Sequence, residues 1–76
     1  MQSIEEFSDQ EKREVLSNLQ CRDGVALVYK GVDLPNGRIP PALIEGRIIE
    51  VGVETFEFEF SGGQRAILNI SDVTEI

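Results

Sequence analysis

Five glutamates, Glu45, Glu50, Glu54, Glu57 and Glu59, crowd one stretch of the chain with Arg47 as the sole cation among them. Carboxylates so spaced could serve three chemistries. A pair flanking a glycosidic bond could act as acid and nucleophile, but that needs a sugar-shaped cleft, which a chain of 76 residues has little room to build. Oxygen ligands could converge on a hard cation, yet the Asp/Asn loop spacing such sites use is absent. The third chemistry makes no bonds. An acidic surface can keep a strand solvated and unaggregated, or it can dock a basic protein partner.

The rest of the inventory removes further reactions. The chain has no histidine, which excludes imidazole acid–base catalysis, Ser-His triads and His-ligated metals. Cys21 falls where a helix should end; the negative pole of the helix dipole disfavours a thiolate there, and Arg22 and Asp23 offset one another. It is expected to be a small, half-buried residue. Ser61-Gly62-Gly63-Gln64 joins two extended segments and opens no helix, so it reads as a hairpin turn rather than a phosphate loop. No catalytic, cofactor-binding or metal-ligating residue is expected.

Composition sets the same limits from another side. Hydrophobic residues make up 41% and charged residues 28%, a globular balance for one domain spanning 1–76. Fourteen acids against 7 Lys and Arg give a net charge of -7, which disfavours direct nucleic-acid binding and favours a partner with a basic surface. One cysteine cannot form an internal disulfide, and no apolar run approaches the length of a membrane span. With no signal-peptide pattern at the N-terminus, a soluble, cytoplasmic protein is expected, with no membrane contact.

The elements that must carry these residues follow from periodicity. Met1 to Gln20 reads as helical, and its helix proper is expected over 8–20. Ser8-Asp9-Gln10-Glu11 has capping-box spacing, and Ser3-Ile4-Glu5-Glu6 has it too. Val15, Leu16 and Leu19 make a narrow apolar stripe, so this helix should lie on the surface and dock Leu16 and Leu19 on a sheet. Ile4 and Phe7 should pack just before it.

From 24 to 76 the pattern is β. Val25 to Lys30, Ala42 to Val51, Thr55 to Phe60, Arg65 to Ile70 and Val73 to Ile76 are the expected strands, with a short break at Ser71-Asp72 that could hold a turn of 3₁₀ helix. Thr55 to Phe60 alternates strictly. Phe56, Phe58 and Phe60 fall on one face, where they should fill the core rather than stack on bases, and Thr55, Glu57 and Glu59 fall on the other. Gly46 inside a strand marks a bend, a bulge or a close backbone approach. Gly31 to Pro41 reads as a loop with a tight turn at Asn36-Gly37, and its Leu34 and Ile39 are expected to cover the end of the sheet. These elements make a mainly β domain: a small, five-stranded, strongly bent antiparallel barrel with an N-terminal α-helix.

Ile44 to Val51, Phe56 to Phe60 and Arg65 to Ile76 together resemble the pattern of Sm-like and SH3-like small barrels. The resemblance covers roughly the last two-thirds of the chain, and any small curled sheet needs similar motifs. It implies a helix ahead of a bent five-stranded sheet, a glycine that kinks the second strand, and a short last strand that closes the barrel. It also implies RNA binding through an arginine and a glycine before the last strand. At that position this chain reads Ile70-Ser71-Asp72-Val73, with neither residue. Some small acidic Sm-like barrels bind proteins instead.

The expected function is therefore a non-enzymatic protein-binding module, a regulator or inhibitor that presents Glu45, Glu50, Glu54, Glu57 and Glu59 to a basic partner. The alternative is an Sm-like RNA-binding module, a homo-oligomeric ring joined through sheet edges, with a basic surface drawn from Lys30, Arg38, Arg47 and Arg65.

Overall fold

The computed structural model describes residues 2–76, apart from the side chains of residues 32 and 33; Met1, where the helical reading began, lies outside the described residues. The helix α1 runs Asp9–Asn18. Its start is fixed by the second of the two candidate capping boxes. The Glu11 N–H donates to Ser8 Oγ at 3.2 Å and the Ser8 N–H donates to Glu11 Oε1 at 3.1 Å, which satisfies two otherwise unpaired donors. The other candidate is not used, because residues around Ser3 are extended and not helical, bridged to Glu75.

On α1 the buried residues are Lys12 and Leu16, one turn apart, with Val15 and Leu19 half-buried. Lys12 is only 4% exposed, and its Nζ donates to the Ser71 carbonyl at 2.8 Å. The lysine stem thus extends the apolar stripe while its head group is capped by a backbone oxygen. Past the helix, Cys21 adopts a left-handed backbone with φ 65, and its N–H donates to the Ile48 carbonyl at 2.8 Å. Its side chain is exposed, not half-buried as expected, because this conformation turns the chain back toward the sheet through the backbone.

Five antiparallel strands follow, β1 (Val25–Tyr29), β4 (Ala42–Val51), β5 (Thr55–Phe60), β6 (Arg65–Asn69) and β7 (Val73–Glu75), in the order β6-β5-β4-β1-β7. A separate hairpin, β2 (Val32–Leu34) with β3 (Gly37–Ile39), occupies the expected loop. Its register pairs Leu34 with Gly37, so the turn centres on Pro35-Asn36 and not on Asn36-Gly37. Leu34 and Ile39 are exposed there and do not cover the sheet.

The core is built from Ile4, Leu16, Val25, Leu27, Ile48, Phe56, Phe58, Ile70 and Val73. The alternation of β5 does as expected: Phe56 and Phe58 are buried, edge to face with centroids 6.4 Å apart, and Phe60 packs on Phe58 at 5.4 Å. Gly46 is paired with Val25 on one side and Phe60 on the other. A Cβ there would overlap the Glu59 carbonyl oxygen and lie 3.0 Å from Phe60 Cα. The glycine therefore marks a close backbone approach.

The bulge lies further on. The β4–β5 register shifts between Ile48 and Glu50, which inserts Ile49 as an extra residue. The carbonyls at the shift are taken by the end of the helical segment, Ile48 O by the Cys21 N–H and Ile49 O by Gln20 Nε2 at 3.1 Å.

The hydrogen-bonded ladder does not close into the expected barrel; it ends at β6 and β7. A 3₁₀ turn at Ile70–Asp72 joins these two strands. Side chains bridge the gap instead. Tyr29 Oη accepts from the Asn69 N–H at 3.0 Å and donates to Asp72 Oδ2 at 3.2 Å. Burial pushes the Tyr29 phenol pKa up, the Asn69 N–H opposes this, and the Asp72 carboxylate adds to the rise.

Candidate functional site

The outer face of the sheet is set by the β5 ladder. Glu57 lies opposite Ile67 on β6, and Glu59 opposite Arg65; on the β4 side they face Glu50 and Arg47. Strict alternation along β4 would place Glu45 and Arg47 on one face and Glu50 on the other. The extra residue at Ile49 resets the count, so Glu50 joins Glu57 outside instead of entering the core. Glu45, paired with Ala26 of β1, precedes Arg47 on the same face.

The charges are not evenly spread. Glu59 is held between two guanidinium groups, with Arg65 Nε 3.1 Å from Oε2 and Arg47 Nη2 3.2 Å from Oε1. The Arg65 hydrogen bond, then that of Arg47, holds the Glu59 carboxyl below the ordinary glutamate range against an opposing desolvation. Arg65 also reaches Glu57 at 3.9 Å, and Arg47 reaches Asp23 at 3.7 Å. Arg47 and Arg65 are therefore committed to carboxylates. Among the described residues, Glu45, Glu50 and Glu54 make no ion pair.

Four of the five expected glutamates thus share the outer face. Glu54 does not: it sits in the turn between β4 and β5, where its carbonyl accepts from the Ile70 N–H at 3.0 Å and its side chain is exposed. Two open clefts flank the Glu59 centre. One, of about 320 Å³, runs along Asp23, Glu45, Arg47, Phe60 and Ser61; the other, of about 140 Å³, is lined by Glu50, Thr55, Phe56, Glu57 and Ile67. Among the described residues no three Cys, Asp or Glu side chains converge to hold a metal ion, and no helix is long and apolar enough to cross a membrane.

Sequence reasoning did not connect Arg65, Asp23 and Ile67 with the glutamates: Arg65 was counted toward a basic surface, which its pairing with Glu59 and Glu57 excludes, and Asp23 was set against Arg22. Arg65 and Asp23 complete the charge ladder, and Ile67 leaves an apolar side chain 66% exposed beside Glu57. The signal for Arg65 and Ile67 was present: they alternate with half-buried Ala66 and Leu68 and follow a glycine turn that sets them opposite Glu59 and Glu57.

The two sheet edges differ. At β7 the edge is covered by the chain's own N-terminal segment, with Gln2 N–H to Ile76 O at 2.8 Å, Ile76 N–H to Gln2 O at 2.9 Å and Ile4 N–H to Thr74 O at 2.9 Å. Among the described residues no strand pairs with β6 on its outer side. Compared with known proteins, the chain matches no family model, no curated protein and no solved structure.

Proposed function

We propose that this chain is a non-enzymatic protein-binding module, a regulator or inhibitor, that docks a basic surface of a partner protein on the outer face of its sheet. The observation that supports this most is the cross-strand pair of Glu50 and Glu57. Like charges placed directly opposite one another cost stability, and no described cation pairs with Glu50. A face needed for solubility alone would gain nothing from that arrangement. A lysine or arginine delivered by a partner would neutralise both carboxylates, and exposed Ile67 beside them offers an apolar contact. The resemblance to acidic, protein-binding Sm-like barrels fits the same reading, with the curled sheet, bridged by Tyr29, in the place of a closed barrel.

Pull-down from the native host at low and high salt, with the unmodified chain against a Glu50→Lys/Glu57→Lys variant, tests it. A basic partner retained by the unmodified chain at low salt, and lost both to high salt and to charge reversal, is expected, since screening acts over about 8 Å at physiological strength. A partner captured equally by both proteins would overturn the acidic-face reading.

A further inference from the structure

The outer edge of β6 is a half-made hydrogen-bond ladder. At the start of this strand the Phe60 N–H donates to the Gln64 carbonyl at 2.7 Å, which makes 60 and 64 a hydrogen-bonded pair of the β5–β6 ladder. Such pairs recur at every second residue, so Ala66 and Leu68 turn their backbone groups toward β5, and Arg65, Ile67 and Asn69 turn theirs away from it. The Asn69 N–H confirms the direction, because it reaches Tyr29 Oη outside the β5–β6 pair. The outward groups of Arg65 and Ile67 have no backbone partner among the described residues.

Exposed edges are usually blunted by lysine, proline, a bulge or a covering segment. Residues 2–4 cover the β7 edge. Among the described residues Arg65–Asn69 has none of these devices apart from the Tyr29 hydroxyl at Asn69, and its one charged side chain is drawn onto Glu59. One strand in from this edge stand Glu57 and Glu59, and behind Glu57 stands Glu50.

We infer that β6 receives an extended, basic segment of a partner protein as an added antiparallel strand, bonded through the backbone of Arg65 and Ile67, with a lysine or arginine opposite Ile67 directed at Glu57 and Glu50. This rests on the proposed acidic-face function and gives its partner a conformation. The residue opposite Ile67 shares its face, as directly paired residues do. Its neighbours on either side meet the half-buried Ala66 and Leu68, so the segment alternates a basic or polar residue with an apolar one.

The test uses the full chain and a capped heptapeptide, Val-Thr-Val-Lys-Val-Thr-Val, whose central lysine sets the register opposite Ile67. Binding is expected to slow hydrogen exchange of the Arg65 and Ile67 amides at least about tenfold, with little change at Ala66 and Leu68. Two further arms separate edge from charge. N-methylation of the peptide's lysine, or Ile67→Pro in the protein, should weaken binding at least about tenfold, because each removes a donor from the new ladder; the proline spares the existing one. A peptide with glutamate for lysine should also bind at least about tenfold more weakly.

If the N-methylated and unmodified peptides bind equally, the added strand is overturned while the acidic face stands. If the lysine and glutamate peptides bind equally and both protect the Arg65 and Ile67 amides, the acidic-face reading fails and with it the basic character of the segment. Protection of these amides that rises with protein concentration and needs no peptide would overturn the proposal in favour of a second copy of this chain.

Discussion

The two faces of β5 show how differently neighbouring residues of one strand can be constrained. Phe56 and Phe58 lie in the core with aromatic and aliphatic neighbours on every side, whereas Glu57, one residue away, meets solvent, a distant guanidinium and another glutamate. On the inner face, sequence and environment agree: apolar residues alternate at the strand period, and the backbone closes up at Gly46. The outer face does not reach its own electrostatic minimum. Arg47 and Arg65 neutralise Glu59 and leave Glu50 without a cation, so the face is ordered at its centre and under-compensated beside it. The contrast teaches that packing accounts for the inner face, whereas neither packing nor ion pairing accounts for the charge excess of the outer one.

The inner face should break with the largest effects. Phe58→Ala removes a fully buried ring that holds Phe56 and Phe60 edge to face, and is expected to destabilise the fold by about 3–5 kcal/mol. Denaturant unfolding, read as a lower midpoint at unchanged slope, checks it. Gly46→Ala comes next. Its methyl meets backbone atoms of Glu59 and Phe60 rather than a flexible side-chain tip, so β5 must shift, at about 1–3 kcal/mol. Retained stability in that variant would show that β4 and β5 do not approach as closely as described.

The same contrast decides what could be read in the sequence. β5 was legible to the residue, because strict alternation admits one strand and two opposite faces. The break before β7 and the capping box at Ser8 were legible for similar local reasons. Two features were not. Lys12 looks like a solvated helix residue, and its burial depends on the Ser71 carbonyl, 59 residues away in sequence. The extra residue at Ile49 leaves no local mark, since the glycine that draws attention, Gly46, serves close approach instead. Without the bulge, the grouping of Glu50 with Glu45 and Glu57 has no geometric basis. The charge ladder through Arg65 needed only the hairpin register, but the glutamates were counted as one acidic face before their partners were placed.

Acid should act on the outer face in a defined direction. The Glu59 carboxyl is held low in the folded chain by Arg65 and Arg47, so its folded pKa lies below its unfolded one. The stability this provides is complete above the ordinary glutamate value, near pH 4, and is lost as pH falls through the depressed folded value. Glu59→Gln should therefore flatten the stability curve below about pH 4 and leave its shape near pH 7 unchanged. Thermal unfolding of both proteins across that range checks the sign. A variant curve that stays parallel to the original down to the acid limit would mean that Glu59 is not a point of proton linkage.

The smallest expected effect sharpens the comparison most, because it has the opposite sign. Glu50→Gln keeps the size of the side chain, exchanges one acceptor oxygen for an NH2 donor and removes one charge of the like-charged pair. The free protein should gain about 0.2–1 kcal/mol, more at low salt than at high, because relieving an exposed cross-strand repulsion is worth no more than that and is screened by ions. Denaturant midpoints at two ionic strengths measure it. A core residue chosen for stability would not improve on substitution, whereas a binding residue that stands opposite a like charge should. If Glu50→Gln lowers stability instead, a compensating contact holds Glu50 in place, and the charge excess on this face is structural rather than a docking surface.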